Sequence, residues 1–323
     1  METNRSPLQT FLFAYQLGVV IFKDYSNRFS RHDFTCAQLF ACLVLREFLK
    51  QSYRKAEAFL NDVPDWLEQV GMHHAPDHNT LWRAFGRLIK PSKVQRALDV
   101  LSSKASELNR DLANKPLSID STCYEPHHRS AHYDRVCRKM LKKQSKKASK
   151  SPGTWGKKIN RARSRTLRSM PKLSLAIAAA SHRILSVKAS IGNGSDAPDF
   201  SPLLYHAWRR ANVKVVVADG GYDSEQNHRS ARLDMNVRSI IPPKIGRPTT
   251  KPPRAYYRKL MKQRFARKAD QKHYAQRSQS ETVNSMMKRN LGDYLRSIKP
   301  ARRKQEMLLR AITHELMLSE RRD

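Results

Sequence analysis

One stripe of a predicted helix collects a phenol, two cations and a carboxylate. In HYAQRSQSETVNSMMKR, residues 273–289, Tyr274, Arg277, Glu281 and Lys288 follow one another at offsets of 3, 4 and 7. At ~100° per residue these four side chains fall within about 60° of arc on an α-helix. A carboxylate can bind a metal ion and the cations can bind phosphate, so the stripe has the composition of an active-site wall. A solvated helix face, which explains most charged stripes, is the alternative.

Two aspartates upstream lie next to segments with the composition of buried strands. In KPLSIDSTCYE, residues 115–125, alternating apolar side chains lead to Asp120, which we expect near the end of a strand. In VKVVVADGGYDS, residues 213–224, a continuous valine run ends on Asp219. A turn or a helix cap is the alternative explanation of Asp120. The order of the neighbouring elements favours the strand.

That order is typical of an α/β, ribonuclease-H-like fold, in which helices flank a mixed five-stranded sheet. Periodicity predicts three strands, a helix, a fourth strand, a helix, a fifth strand and then the Glu281 helix. If the first and fourth strands are parallel neighbours ~4.8 Å apart, their carboxyl ends bring Asp120 and Asp219 together, and the Glu281 helix closes the third side. The remaining predicted elements are strands at 172–180, 184–191 and 238–243 and helices at 201–212 and 224–235.

Three clustered carboxylates predict a metal site. Their charges would repel one another and take up protons unless cations neutralised them. Oxygen ligands that act together with a phosphate select Mg²⁺, or Mn²⁺ in its place. Two such ions about 3.5 to 4 Å apart stabilise the attacking and leaving oxygens of a displacement at phosphorus.

The spacing Tyr-x2-Arg-x3-Glu-x6-Lys resembles the signature of a large group of bacterial insertion-sequence DDE transposases. The resemblance extends over roughly residues 115–318 and includes the IDST, ADGGYDS and IPPKIGRP segments. Two departures stand out: only about thirty residues separate the fifth strand from the Glu helix, and no aromatic residues directly precede the Glu. The large inserted domain of some relatives is therefore absent.

The resemblance implies an activity and a role for each site residue. Such an enzyme binds the terminal inverted repeats of its element as a homodimer, frees the 3′ hydroxyl at each end with metal-activated water, and directs it at target DNA. Asp120, Asp219 and Glu281 would be the catalytic, metal-binding acids. Arg277 and Lys288 would contact phosphates near the cleaved end, with Tyr274 beside them.

The composition predicts a polyanionic partner. The 323 residues include 62 Lys and Arg against 28 Asp and Glu, a net charge of +34, which favours double-stranded DNA. Residues 129–172 hold 16 cations and one acid, and residues 244–268 hold ten cations and no acid. Within the first of these segments, Trp155 could stack on an unpaired base. The longest apolar runs are too short for a membrane span, and four cysteines without a paired framework, together with no basic leader, favour the bacterial cytoplasm, at the nucleoid.

The pattern of residues 1–112 predicts a helical domain that contains a helix-turn-helix. Its last helix, APDHNTLWRAFGRL, would direct Thr80, Arg83 and Arg87 toward the DNA groove. An ordinary three-helix bundle is the alternative, in which Leu81, Trp82 and Phe85 form the core. Residues 113–323 would be the catalytic domain, with basic loops at about 124–171 and 242–270.

Other assignments of single residues compete with this prediction. Asp270 lies near the same stripe as Glu281, but helix capping and the helix dipole explain an acid there. Asp223 and Ser224 have the composition of a helix cap. A zinc site matches no standard spacing; its candidate ligands are Cys123, His127, His128, His132 and Cys137. At the level of function, a stand-alone nuclease of the same fold and a catalytically inactive DNA-binding protein are the alternatives.

Overall fold

A computed structural model describes residues 5–25, 27, 29, 31–103, 108–126, 170–192, 194–243 and 255–318. Within these residues, seven helices precede Leu117, and strands and further helices follow it. The helices of the first part are α1 (Pro7–Ile21), α2 (Cys36–Phe48), α3 (Tyr53–Asp62), α4 (Pro64–Glu68), α5 (His78–Leu88), α6 (Pro91–Ser103) and α7 (Leu108–Asn114). The strands are β1 (Leu117–Cys123), β2 (Glu125–Pro126), β3 (Pro171–Ala178), β4 (Ile184–Ile191), β5 (Val215–Ala218), β6 (Arg238–Ile240) and β7 (Tyr294–Leu295). The later helices are α8 (Ala197–Arg210), α9 (Glu225–Arg229), α10 (Tyr256–Arg264), α11 (Lys268–Ala275), α12 (Ser278–Leu291) and α13 (Pro300–Leu318).

The main sheet has five strands in the order β4-β3-β1-β5-β6. Strand β1 pairs antiparallel with β3 and parallel with β5, and β5 pairs parallel with β6. Helices flank this mixed sheet, so the predicted ribonuclease-H-like fold is confirmed, including the parallel contact between its first and fourth strands.

The two faces of the sheet have separate cores. On one face Leu117 and Ile119 of β1 pack with Phe200 and Leu204 of α8. On the other face Leu175 of β3 shares a core with α12, α13 and the N-terminal helices. Residues alternate between the faces of a strand, so Asp120, next to Ile119, faces α12.

Helix α2 lies at the centre of the N-terminal part. Thr35 and Gln38 form a capping box at its start, which satisfies two backbone donors. Helix α1 crosses it closely, because a Cβ on Gly18 would stand only 2.9 Å from the Cα of Ala37. Of the helices in the described ranges, none is both long and apolar enough to cross a membrane.

The structure differs from the prediction at the second basic segment. A loop was expected over residues 242–270, but Tyr256–Arg264 form α10 and α11 begins at Lys268. Helix formation is favoured because Met261 is buried against Val217 and Ile240, so the basic stretch has an apolar side that packs on the sheet.

Candidate active site

Asp120 and Asp219 lie side by side. The register pairs Ile119 of β1 with Ala218 of β5, and each aspartate is the next residue in its strand direction. Paired residues of neighbouring parallel strands point to the same face, ~4.8 Å apart. Strand β1 continues to Cys123 beside β3, whereas β5 ends at Ala218, so Asp120 lies mid-strand rather than near its end. The sheet therefore opens beside Asp120, where its parallel neighbour stops.

The segment that was predicted to form one helix, residues 273–289, forms parts of two helices. Tyr274 belongs to α11, Gln276 and Arg277 form a turn, and Glu281 and Lys288 belong to α12. Tyr274 is partly buried and packs edge-on against Phe265, with ring centroids 5.1 Å apart. The break lets α11 pack on β5 and β6 while α12 packs on β1.

The first turn of α12 is held against the sheet from two sides. The His182 Nε2 donates a 2.6 Å hydrogen bond to the side-chain oxygen of Gln279, and His182 lies in the β3–β4 turn with a positive φ of 60°. The Ser280 hydroxyl lies 3.4 Å from Asp120 Oδ2 and donates to the Arg277 carbonyl. These contacts place Glu281 beside Asp120.

Arg277 contacts two of the three acids. Its guanidinium donates to Glu281 Oε1 at 2.6 Å and lies 3.9 Å from Asp120 Oδ2. Because the Glu281 side chain is 59% exposed, this ion pair adds little stability. It does place a cation between carboxylates that would otherwise repel one another.

The pKa of Asp120 is set mainly by the burial of its side chain. Burial raises the pKa of its carboxyl above the ordinary value, and the charges of Glu281 and Asp219 raise it further. The backbone N–H of Ser121 and the Arg277 guanidinium oppose this shift of the pKa. Burial and the neighbouring acids both disfavour the ionised form of this carboxyl. A cation bound beside it would stabilise that form.

A cavity of about 630 Å³ extends from Asp120 and Glu281 along α12 to Lys288. The Lys288 ammonium lies 5.4 Å from the centre of the Tyr124 ring, which is buried. The charged groups that line the cavity are thus three acids, Asp120, Glu281 and Asp293, and two cations, Lys288 and Arg289. Its lining residues are Asp120, Ser121, Thr122, Glu281, Asn284, Ser285, Lys288, Arg289 and Asp293.

Comparison with known proteins matches residues 114–316 to the model of a family described as the transposase DDE domain. The match covers more than half of the 323 residues. The chain belongs to this family of DDE transposases. Neither the curated proteins nor the solved structures contained a match to the chain. Membership implies an enzyme that acts on DNA, and transposases of this kind generally use divalent metal ions.

The three acids of the transposase have the donor chemistry for such ions, since hard cations prefer carboxylate oxygens. Ligand atoms of these three acids do not all lie within 4.8 Å of one another, whereas the carboxylate oxygens of Glu57 and Asp77 and a ring nitrogen of His78 do. His78 Nδ1 lies 2.7 Å from Glu57, a contact that ties α5 to α3 without a metal. At the acids, Glu281 is turned toward Arg277 and is exposed enough to rotate.

The side chains that follow Asp219 make contacts that the sequence did not predict. The Asp223 carboxylate anchors α10, because Arg258 donates to both of its oxygens at 2.8–3.1 Å. Ser224 precedes α9 without a side-chain capping bond. Tyr222 is buried, and burial together with the Asp196 charge raises the pKa of its hydroxyl.

A fourth carboxylate, that of Asp196, lies near Asp219 and was not among the residues predicted from the sequence. A Cβ on Gly221 would lie 3.2 Å from Asp196 Oδ2 and 3.8 Å from Asp219 Oδ2. Lys172, at 2.9 Å, and the Ser121 hydroxyl, at 3.1 Å, donate to Asp196 Oδ1. Asp196 precedes α8 in a Gly-Asn-Gly-Ser-Asp loop, where nothing distinguishes it from a turn residue.

Asp270 has a structural role. It is 1% exposed and pairs with Arg238 of β6, and it makes no capping bond, since α11 has none. Capping is therefore the wrong explanation of Asp270, whereas the helix dipole still favours it, because Asp270 lies in the first turn of α11. The ion pair joins α11 to the edge of the sheet, away from Asp120.

The residues predicted to read DNA lie together on α5. Thr80, Arg83 and Arg87 line a second cavity, of about 440 Å³, with Arg31 and Tyr25 of the α1–α2 loop. Asp77 caps α5 by accepting from the Asn79 N–H at 2.7 Å. The alternative of a three-helix bundle is correct for two of its three core residues, since Leu81 and Phe85 are buried. The third, Trp82, is 46% exposed and stacks with Arg302.

Three predictions fall wholly or mainly outside the described residues. The first is the basic loop at about 124–171, of which only residues 124–126, 170 and 171 are described. Trp155 lies there, so its contact with DNA stays a prediction. Of the candidate zinc ligands, Cys123 is described and is exposed at the end of β1 rather than in a strand core. The others, His127, His128, His132 and Cys137, lie outside the described residues.

Proposed function

We propose that this protein is the transposase of a bacterial insertion sequence of the Tyr-x2-Arg-x3-Glu-x6-Lys group. It binds the terminal inverted repeats of its element, cleaves the DNA to free a 3′ hydroxyl, and joins that hydroxyl to target DNA. The register of β1 and β5, which sets Asp120 beside Asp219, carries the proposal. The contact of Arg277 with both Asp120 and Glu281 supports it.

Asp120, Asp219 and Glu281 would hold two Mg²⁺ ions, for which Mn²⁺ can substitute. When bound, the ions supply a water of lowered pKa and neutralise charge on the phosphate oxygens. Asp120 must be ionised to take part, and its burial makes the ionised carboxylate costly without a cation. Cations bound among the three acids would therefore stabilise their ionised form.

Arg277 and Lys288 would bind phosphates on either side of the cleaved bond. The guanidinium of Arg277 is a fork that matches phosphate oxygens, and it becomes available once the charge of Glu281 is neutralised by other cations. Lys288 lies seven residues further along α12, ~10 Å at 1.5 Å per residue. Tyr274 supports Arg277 from α11, with the guanidinium carbon 6.0 Å from its ring centre.

The N-terminal helices would supply recognition of the DNA end. Residues 1–112 form the DNA-binding domain of this proposal and residues 113–323 its catalytic domain. Thr80, Arg83 and Arg87 share one surface with Arg31, as a helix placed in a groove requires. The active form would be a homodimer that pairs two DNA ends, in the bacterial cytoplasm at the nucleoid.

A strand-transfer assay tests the proposal. The purified protein would be mixed with a duplex that carries the inverted repeat flanking the coding sequence, a target plasmid, and Mg²⁺. Joining of the duplex to the plasmid is expected. Nicking without joining would instead support a stand-alone nuclease, and binding without nicking an inactive DNA-binding protein.

A further inference from the structure

Lys288 differs from Arg277 in how the protein holds its charge. The Arg277 guanidinium donates to Glu281 Oε1 at 2.6 Å. Among the described residues, no carboxylate forms an ion pair with Lys288, although three acids line the same cavity. The Lys288 ammonium lies instead 5.4 Å from the centre of the Tyr124 ring. No described acid therefore neutralises the positive charge of Lys288.

The Tyr124 ring has a fixed position because the core encloses it. Tyr124 is completely buried, and its backbone N–H, directly after β1, donates to the Pro171 carbonyl at 3.0 Å. The side chain belongs to the same core as Met287 of α12 and Met307 of α13. One strand and two helices thus hold the ring on which Lys288 lies.

The same ring contacts a second cation, which has a different environment. The guanidinium carbon of Arg310 lies 5.2 Å from the centre of the Tyr124 ring, and Arg310 pairs with Glu47 at 2.8 Å and with Glu306 at 3.1 Å. A cation within ≈6 Å of an aromatic face is attracted by the ring quadrupole. Arg310 is completely buried and neutralised by acids, whereas Lys288 is half-buried and lines the cavity. Of these two cations, Lys288 is therefore the one that a ligand can reach.

An aromatic ring and a carboxylate hold a lysine with different consequences. A carboxylate would neutralise the ammonium and would have to be displaced before a phosphate could bind there. A ring attracts the ammonium without carrying a net charge, so its N–H donors remain available for phosphate oxygens. The flexible stem of a lysine is then ordered before DNA arrives, which lowers the cost of binding.

We propose that Tyr124 is a positioning residue, whose ring holds the Lys288 ammonium in the cavity with its full charge available to a phosphate of the DNA end. The inference rests on the proposed function, because that function supplies the phosphate. Tyr124 follows Asp120 by four residues, in IDSTCYE. The end of β1 thus carries both an acid of the site and the ring that positions its cation.

The test varies the electron density of the ring at nearly constant shape. Ring fluorines withdraw density from the aromatic face and weaken its attraction for a cation. Tyr124→Phe, which keeps the ring, should bind the DNA-end duplex like wild type. Phenylalanines with one, two and three ring fluorines at this position should bind progressively more weakly, by about 2- to 10-fold in all, the range for ordering one flexible side chain. Gel-shift titration measures the dissociation constants.

Two controls separate the effect on Lys288 from a general effect on the core. In the Lys288→Met background the same fluorine series should bind DNA with equal affinities, whereas any change in melting temperature that acts through Arg310 should persist. Fluorination of Phe11, a buried ring of α1, should leave the affinity unchanged. Tyr124→Leu, which removes the ring, should weaken binding at least as much as the three fluorines.

The possible failures are distinguishable. If wild type binds no DNA end, the proposed function fails and this inference fails with it. If Lys288→Met binds the end as tightly as wild type, Lys288 makes no phosphate contact and Tyr124 has nothing to position. If Lys288→Met weakens binding but the fluorine series is flat with Lys288 present, or equally steep with and without it, the role of Tyr124 is wrong and the transposase proposal stands.

Discussion

Asp120 and Asp219 occupy neighbouring positions on parallel strands, directly after the paired residues Ile119 and Ala218. The backbone therefore holds the two carboxylates together whatever Glu281 does. Two acids fixed at this distance raise the free energy of the folded protein when both are ionised. This geometry therefore lowers the stability of the metal-free protein, and a cation bound between the two acids would offset that loss.

Asp120→Asn should stabilise the metal-free protein at neutral pH. The pKa of Asp120 is raised in the folded state, so its contribution to stability is present at low pH and is lost as pH rises through that pKa. Removing the charge should raise the melting temperature at pH 8 by about 1 to 4 °C. The difference should shrink as pH falls through the raised pKa and vanish below ~3.9, the pKa of an unfolded aspartate. Asp199→Asn is the matched control and should destabilise, because Lys188 and Ser174 contact that buried carboxylate. A lower melting temperature for Asp120→Asn at pH 8 would contradict this account.

Gly221→Ala should impair cleavage without affecting DNA binding. The new methyl group would lie 3.2 Å from Asp196 Oδ2, which must move by a few tenths of an ångström, and in ordinary contact, at 3.8 Å, with Asp219 Oδ2. Because Asp196 accepts from Ser121, next to Asp120, we expect slower cleavage, with a loss below the ~100-fold that a 1 Å misplacement costs. Gly194→Ala, where a Cβ would meet nothing within 4 Å, should cleave at the wild-type rate. Equal rates for the two variants would show that the position of Asp196 is not critical for cleavage.

The fold was predictable because its signals are local. The β-branched run before Asp219 and the alternation around Ile119 report buried strands directly, and the order of strands and helices then restricts the topology. The three acids followed from that order together with the spacing around Glu281.

What could not be predicted depends on contacts between distant segments. The break at Gln276 leaves no trace in a periodic pattern, and the partners of Asp223 and Asp270 are arginines 35 and 32 residues away. Asp196 became a neighbour of Asp219 only through the packing of α8. Such ion pairs depend on tertiary structure and have no spacing rule.

Binding should depend steeply on salt. If about ten phosphates are contacted, log affinity should fall with log salt at a slope near −9, because bound counterions are released. Gel-shift titrations at several salt concentrations measure this slope. A nearly flat response would contradict DNA as the partner of the basic surface.

Arg83→Ala and Arg87→Ala should weaken binding to the inverted repeat more than binding to random DNA. Both side chains are exposed on α5 and line the same cavity, where base contacts are expected. Arg209→Ala removes an equally exposed charge from α8, on the opposite face of the sheet, and should affect both DNAs slightly and alike. Equal losses on repeat and random DNA for the α5 variants would remove the helix-turn-helix from the account.

Asp270→Asn should destabilise the protein and leave its chemistry intact. The side chain is buried and pairs with Arg238, whose side chain is 43% exposed. The freed guanidinium can reach water, so we expect a loss of ~1–2 kcal/mol in the free energy of unfolding. Urea titration measures this loss, and a variant as stable as wild type would show that the ion pair contributes nothing.

The most direct test of the catalytic site compares Glu281→Gln with Asp270→Asn on one DNA-end duplex, by gel-shift and by Mg²⁺-dependent strand cleavage. Glu281→Gln keeps the shape of the side chain and removes a charged metal ligand. It should bind the end within a few fold of wild type and abolish cleavage. Asp270→Asn, measured below its melting temperature, should bind and cleave. Cleavage by Glu281→Gln together with its loss in Asp270→Asn would contradict the placement of the catalytic helix and the roles of Tyr274, Arg277 and Lys288.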